Sequence, residues 1–239
     1  MNEKPTHLDL FSGSGAFTLA AESAGFQTVG FSETDAFCSA LLAEKWPHVT
    51  NYGDLRNVPK LRVNLLTGGW PCQPFSVAGR RLGEADDRHL WPAMLGVIDR
   101  CEPDFILGEN VVGIKSMVLS RCLDELEERG YQHATFDLPS CCSGLPSLER
   151  HIWVVAARDG AIVEGNPSPI IQGAAVSAIW NSDRAGDAGE FLRRCLSSPV
   201  LLRSRKGFPN FVDRIKCVGN AVPPPIAQIY CEAIYAQLK

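Results

Sequence analysis

The sequence predicts an α/β fold built on a largely parallel sheet, on three observations. Short apolar runs alternate with amphipathic stretches from residue 7 to about 157; the first apolar run ends in a glycine-rich turn that opens a helix; and a last amphipathic stretch near the C-terminus can pack back on the same core. Such alternation is the signature of βαβ units, in which each parallel strand needs a crossover helix that also covers a sheet face. The apolar runs place strands at 7–11, 28–33, 63–67, 105–109 and 152–157, and the stretches between them place helices at 16–24, 37–46, 91–100 and 118–130. The last of these carries Leu119, Cys122, Leu123 and Leu126 at helical spacing and stops at Gly130, a residue suited to a helix C-terminus. Ile226, Ile229, Tyr230, Ala233 and Ile234 recur at the same spacing behind Pro223, Pro224 and Pro225, which predicts a final helix. Between about 158 and 212 the periodicity dissolves into Gly, Pro, Ser and Asn, an irregular insert that need not share the main core.

With 239 residues, mixed apolar and charged content and no internal repeat, the chain can bury one large core, with or without a small inserted domain. The start MNEKPTHLDLF runs from polar residues straight into the first strand, and no window is apolar enough to span a bilayer, so a soluble cytoplasmic protein is expected. Nine cysteines contain no CxxC pair and no histidine at zinc-finger spacing, which predicts no metal. An odd count without a secretory signal fits reduced thiols, most of them small buried residues, with one kept for chemistry. The net charge of −4 excludes wholesale coating by nucleic acid. Charge is nonetheless local: Arg80, Arg81 and Arg88 form one basic stretch, and Arg203, Arg205, Lys206, Arg214 and Lys216 another. Each suits contact with DNA at one face of an acidic body, or equally a solvated surface.

Five segments carry candidate chemistry. DLFSGSGAF at 9–17 is a strand ending in a glycine turn, where missing side chains let a nucleotide-like ligand approach the backbone; it lacks the third glycine of the dinucleotide fingerprint. Glu33 ends the next apolar run about twenty residues on, where a carboxylate can accept hydrogen bonds from ribose hydroxyls. Asp54, in Gly-Asp-Leu, follows the next transition and can take an adenine amino hydrogen or simply cap a turn. GGWPCQPFSVAG at 68–79 puts Cys72 between two prolines in a glycine-flanked loop, an exposed setting in which nearby Arg80, Arg81 and Arg88 can favour the thiolate needed for attack. Glu109, in FILGENV, ends an apolar run, and a carboxylate there is costly to bury unless something uses it. Neighbouring strand ends of a parallel sheet line one crevice, where Cys72 and Glu109 can meet.

In order, DLFSGSGAF, SETDAF, GDL, GGWPCQPFSVAG, DDRHLWPAM, ENV and RIKCVGNAVPPPIA resemble the C5-cytosine DNA methyltransferases over residues 8 to about 230; the cysteine loop is the most specific of these matches. The resemblance implies a Rossmann-like S-adenosylmethionine-dependent methyltransferase fold with a small irregular target-recognition insert. It places Phe11, Gly13, Gly15, Glu33, Asp54, Pro71, Leu90, Asn220 and Val222 near the cofactor, assigns 1–157 with 213–239 to a catalytic and cofactor-binding domain, and assigns 158–212 to a target-recognition domain that is short for the family. One segment departs from the pattern: in GLPSLERHIW the positions of the family's Arg-x-Arg hold Glu149 and His151, with Arg150 between them. Arg150 and His151 are then the candidates to supply the missing phosphate and active-site contacts.

The implied chemistry is addition of Cys72 to C6 of a cytosine flipped out of double-stranded DNA, assistance by Glu109 at N3, and methylation of C5. Arg80, Arg81 and Arg88 would close over the flipped base and Arg203, Arg205 and Lys206 grip phosphates, in a monomeric enzyme that can be paired with a cognate restriction endonuclease. Rival readings are a tRNA-directed cytosine methyltransferase of the same fold, a non-catalytic nucleic-acid binder suggested by the altered Arg-x-Arg segment, and a nicotinamide-dependent oxidoreductase supported only by the glycine turn and Glu33.

Overall fold

The computed structural model describes residues 3–70, 90–116, 118–140, 149–158 and 222–238. Seven strands form one sheet in the order β3-β2-β1-β4-β5-β7-β6. These are β1 (Thr6–Leu10), β2 (Gln27–Ser32), β3 (Thr50–Asn51), β4 (Leu65–Gly68), β5 (Phe105–Val111), β6 (Tyr131–Pro139) and β7 (Arg150–Arg158). The first five pair in parallel, whereas β7 runs antiparallel to both β5 and β6. All five expected strands and all five expected helices are present. The largely parallel sheet gains an antiparallel edge and two strands, β3 and β6, that the apolar pattern did not announce.

The described helices are α1 (Ala16–Ala24), α2 (Ala36–Lys45), α3 (Trp91–Cys101), α4 (Leu119–Glu127) and α5 (Pro224–Gln237). Strand residues alternate between two cores. Leu8, Leu10, Leu66, Ile106, Ile152 and Val154 meet α3 and α4 on one face. Leu65, Phe105, Leu107, Trp153 and Val155 meet α1 and α5 on the other. Helix α5 buries Ile226, Tyr230 and Ile234 completely, the two isoleucines each contributing about 1.5–3 kcal/mol by leaving water. Asp35 starts α2 by accepting from the Phe37 and Cys38 amides, satisfying donors that a helix end otherwise leaves open. Two expectations fall short of the element ends: α4 stops at Glu127 although the apolar spacing ran on to Gly130, and the strand expected to start at Val63 pairs from Leu65.

A polar chain crosses the centre of the sheet. His7 and Asp9 on β1 are wholly buried. His7 Nδ1 lies 3.0 Å from Thr28 Oγ1 and Nε2 lies 2.8 Å from Thr67 Oγ1; Thr67 and Thr18 hydroxyls donate to the two oxygens of Asp9 at 2.9 and 2.7 Å. With Asp9 ionised, both threonine protons point at it, so His7 donates from Nε2 to Thr67 and accepts at Nδ1 from Thr28. Among the described residues no helix is long and apolar enough to cross a membrane.

Candidate active site

The parallel strands β1, β2 and β4 end at one edge of the sheet, and the loops leaving that edge build a pocket. Phe11, one residue beyond β1, has φ +53°, a left-handed conformation costly for a bulky residue and found where surrounding structure enforces it. It lines the pocket together with Ser32, Glu33, Thr34, Gly53, Asp54, Leu55 and Leu90. Four of the residues expected near the cofactor, Phe11, Glu33, Asp54 and Leu90, therefore share one cavity.

The glycine turn owes its shape to different requirements at its two glycines. Gly13 has φ +52° and an open Cβ direction, and its amide donates to Glu33 Oε2 at 2.7 Å. Gly15 has φ +81°, and a Cβ there would stand 2.7 Å from the Trp46 ring; its smallness lets α2 close on the start of α1. Glu33 Oε1 accepts the Asp35 amide at 2.6 Å, so this one carboxylate ties the glycine turn to the start of α2. A carboxylate offers about four acceptor positions, and with two taken by backbone it keeps two for hydroxyls of a ligand. Asp54 caps a 3-10 turn, Leu55–Asn57, by accepting from the Arg56 amide at 2.8 Å, and pairs through its other oxygen with the Arg56 guanidinium at 2.8 Å.

Sequence reasoning missed Asn51 and Ser32. Asn51 Oδ1 accepts the Glu33 and Gly53 amides while its Nδ2 donates to the Glu33 carbonyl, and Ser32 donates to the Gly53 carbonyl at 2.6 Å. Together they lock the two loops that carry Glu33 and Asp54. Asn51 sits on a two-residue exposed strand, so nothing in its apolar context marked it; an asparagine directly before a glycine-containing turn was the one available signal.

A second cluster lies at the ends of β4 and β5. Glu109 is buried, and a Cβ on Gly69 would lie 3.2 Å from its Oε2 and 3.8 Å from Val222. Val222 thus stands against the Gly69 backbone beside Glu109, on the side of α5, and does not line the pocket. Trp70 is clamped from three directions. Its ring rests on Gly108, where a Cβ would come within 2.6 Å, it packs on Trp91 at 5.1 Å between centroids, and its carbonyl accepts from buried Asn110 Nδ2 at 2.8 Å. The backbone two residues before Cys72 is therefore held rigidly next to Glu109. Asn110 and Trp70 are further site residues that sequence reasoning passed over, because both act through a backbone contact forty residues apart in the chain.

Of the two residues at the altered Arg-x-Arg segment, the structure brings one to Glu109. His151 Nδ1 is 2.5 Å from Glu109 Oε1, with both side chains about nine-tenths buried. Glu109 pairs in register with Trp153 and His151 with Val111, so the contact is a diagonal one on the face shared with α1 and α5. Burial alone would lower the His151 pKa, but the hydrogen bond and charge of Glu109, with the charge of Glu149, outweigh it and leave it raised. Arg150 projects from the opposite face of β7, is exposed, and donates to Asp137 Oδ1 at 2.9 Å. Pro71, Cys72, Arg80, Arg81, Arg88, Arg203, Arg205, Lys206 and Asn220, and the insert beyond Arg158, lie outside the described residues.

Residues 6–177 match the family model of the C-5 cytosine-specific DNA methylases. Similar curated proteins include the type II methyltransferase M.PspPI of a Psychrobacter species, 38% identical over 137 residues that make up 52% of this chain and 32% of the relative. The orphan methyltransferase M.SPRI of Bacillus phage SPR is 32% identical over 167 residues, 65% of this chain and 38% of the relative. This chain thus spans about a third of the length of such relatives. Solved structures with the same fold include the S. pombe Dnmt2 methyltransferase, with a TM-score of 0.66 at 14% identity over 98% of both chains, and the Entamoeba histolytica methyltransferase EhMeth, with a TM-score of 0.65 at 13% identity over 100% of both chains. The seven-stranded mixed sheet agrees with that Rossmann-like arrangement. With the glycine turn, the strand-end carboxylates and the clamped base of the cysteine segment all inside a match that covers well over half of its length, this chain belongs to the C-5 cytosine-specific DNA methylase family.

Proposed function

We propose that this protein is a DNA (cytosine-5-)-methyltransferase that acts on a flipped cytosine through a covalent bond from Cys72 to C6. The observation that carries the reading is the placement of buried Glu109 directly against Gly69, where Asn110 anchors the next carbonyl, that of Trp70, two residues before Cys72, on the same sheet whose β1 and β2 ends build a pocket suited to adenosine. S-adenosylmethionine would supply an electrophilic sulfonium methyl group. The pocket fits that ligand: Phe11 offers a ring face to adenine, Glu33 keeps two acceptor positions for ribose hydroxyls, Asp54 stands where an amino group can be met, and Leu90 closes the apolar side. Gly13, with an open Cβ direction, leaves the turn accessible, while Gly15 secures it through Trp46. Pro71 and Asn220 complete this assignment, while Val222 stands outside the pocket, against Gly69 beside Glu109.

The reaction meets a chemical problem that these residues answer. C5 of cytosine is a poor nucleophile until sulfur adds at C6; the C5–C6 π electrons then form the C4–C5 enamine and the C4–N3 pair settles on N3. Glu109 would hold N3 and meet that pair with a proton, stabilising charge that arises only during attack. Loss of the C5 proton and departure of Cys72 then restore the aromatic ring. The base must leave the stack for sulfur to reach it, at a cost of roughly a few kcal/mol; Arg80, Arg81 and Arg88 would cover it, Arg203, Arg205 and Lys206 would hold phosphates, and residues 158–212 would read the site as a short target-recognition domain. Double-stranded DNA is the substrate in this reading, and a restriction endonuclease a natural companion.

Transfer of tritiated methyl groups to cytosine-containing duplexes tests the reading, with tRNA as the competing acceptor. Label in duplex DNA with the wild type and none with Cys72→Ser is expected, as is capture of the enzyme by a duplex carrying 5-fluorocytosine at the target. Label in tRNA alone would assign the chain to RNA, and no label in either acceptor would overturn methyl transfer. Bisulfite sequencing of DNA from cells expressing the chain would give the recognised site.

A further inference from the structure

We infer that His151 is the positioning partner and proton reserve of Glu109, so that the ring nitrogen of the target cytosine is protonated through a carboxyl–imidazole pair; this deepens the methyl-transfer reading and rests on it. The geometry is specific. His151 Nδ1 approaches Glu109 Oε1 to 2.5 Å in a setting about nine-tenths buried, and Gly69 closes on the other oxygen, Oε2. The only other basic side chain at the start of β7, Arg150, points away across the sheet to Asp137.

A guanidinium at this place would hold the carboxylate by charge at every pH but would release no proton, whereas an imidazole can give one up and take it back. The groups around His151 are Glu109 from β5, Glu149 on the approach to β7, and Tyr230 from α5, stacked on Trp153 next along the same face; Leu138 of β6 lies directly across, and Asp137 and Arg150 occupy the reverse face. The carboxylates are the charged members of this set on His151's own side, and they favour imidazolium, consistent with its raised pKa. The proton balance closes. As sulfur adds to C6, the Nδ1 proton of the imidazolium passes to the Glu109 carboxylate and on to N3, leaving neutral His151 and Glu109 again ionised. When the C5 proton is lost and the C6–S bond breaks, N3 returns its proton to Glu109 and His151 is recharged.

The test is the pH profile of methyl transfer by the full chain, set beside the imidazole titration followed by NMR on ¹⁵N-histidine-labelled protein. In the wild type the rate should fall about tenfold per pH unit above the His151 midpoint, and that midpoint should drop in Glu109→Gln. His151→Arg should lose this alkaline limb, and His151→Gln should be slow at all pH values and lose it as well. An alkaline limb that is the same in His151→Arg or His151→Gln, or an imidazole midpoint indifferent to Glu109→Gln, would overturn the inference while leaving methyl transfer standing. A wild type that transfers no methyl group at any pH would overturn the underlying reading instead. Should His151→Arg fail to fold, the glutamine variant and the titration still decide.

Discussion

Asp9→Asn tests the buried polar chain of β1, and its effect can be worked out with sign and size. Burial raises the Asp9 carboxyl from 3.8 to about 7 against the opposing hydrogen bonds of Thr18 and Thr67. A carboxyl with a raised folded-state pKa destabilises the native state as pH climbs through that window, because the unfolded chain gives up its proton first. At 1.36 kcal/mol per pKa unit the full gap is worth about 4 kcal/mol above pH 7, of which roughly 2–3 kcal/mol develops between pH 5 and pH 8. His7 acts in the opposite sense. Burial pushes it down to about 3, so it stays neutral while the unfolded imidazole protonates below about 6.5, which removes about 2 kcal/mol at pH 5 relative to pH 8. The two nearly cancel, and wild-type stability should be flat across this range. Asparagine keeps every bond: its Oδ1 can take the Thr18 protons, its Nδ2 can donate to Thr67, and Thr67 and His7 can then turn so that Nδ1–H donates to Thr28. Urea denaturation followed by tryptophan fluorescence should show Asp9→Asn gaining roughly 2–3 kcal/mol on the wild type between pH 5 and pH 8, its own stability rising by about 2 kcal/mol. A difference between the two proteins that does not change with pH would refute a titrating Asp9.

Two further changes probe the site's support. Asn110→Leu leaves the buried Trp70 carbonyl without its donor, which should cost about 1–3 kcal/mol in denaturation and lower the methyl-transfer rate constant far more than cofactor affinity by calorimetry, because the bond anchors the segment leading to Cys72 and not the pocket. Tyr230→Phe removes a hydroxyl that has no partner among the described residues and whose pKa burial raises; stability should hold or rise by about 1 kcal/mol, and a loss of that size would mean the hydroxyl is satisfied.

The parallel half of the sheet was legible because strands buried on both faces read as continuous apolar runs, as LDL, GFS, LLTG and FILG do here. The direction of β7 was not, since an apolar run is the same read either way. Strand β6, YQHATFDLP, escaped notice because it is an edge strand that buries only Tyr131 and Leu138 and exposes or half-exposes the rest, so its alternation is faint. In the site, Glu33, Asp54 and Glu109 were legible because carboxylates at strand ends stand out against apolar neighbours, whereas Phe11 came only from the family resemblance. Asn51, Asn110 and Trp70 were not, because their contribution is a hydrogen bond or ring contact to a backbone distant in sequence. Gly15 shows a partial reading of another kind: its place in the turn pointed to a ligand, and the structure adds that the Trp46 ring fills the space its Cβ would need.

The antiparallel turn of β7 also decides which residue meets Glu109. Side chains alternate strictly along a strand, so positions 149 and 151 share a face and 150 belongs to the other. The family's paired arginines are two residues apart and correspond to Glu149 and His151 here, which means that Arg150 is no displaced version of either: bringing it to Glu109 would need a one-residue slip of β7 against β5. Such a slip would carry Trp153 and Val155 out of the core under α1 and α5 and turn Ile152 and Val154 away from α3 and α4. Moving that many buried apolar side chains across a sheet costs far more than one ion pair at its edge returns. The register is thus held by the hydrophobic faces, and the identity of the group that faces Glu109 follows from it. In the proposed reaction, the group that backs the Glu109 carboxyl is therefore an imidazole and not a guanidinium.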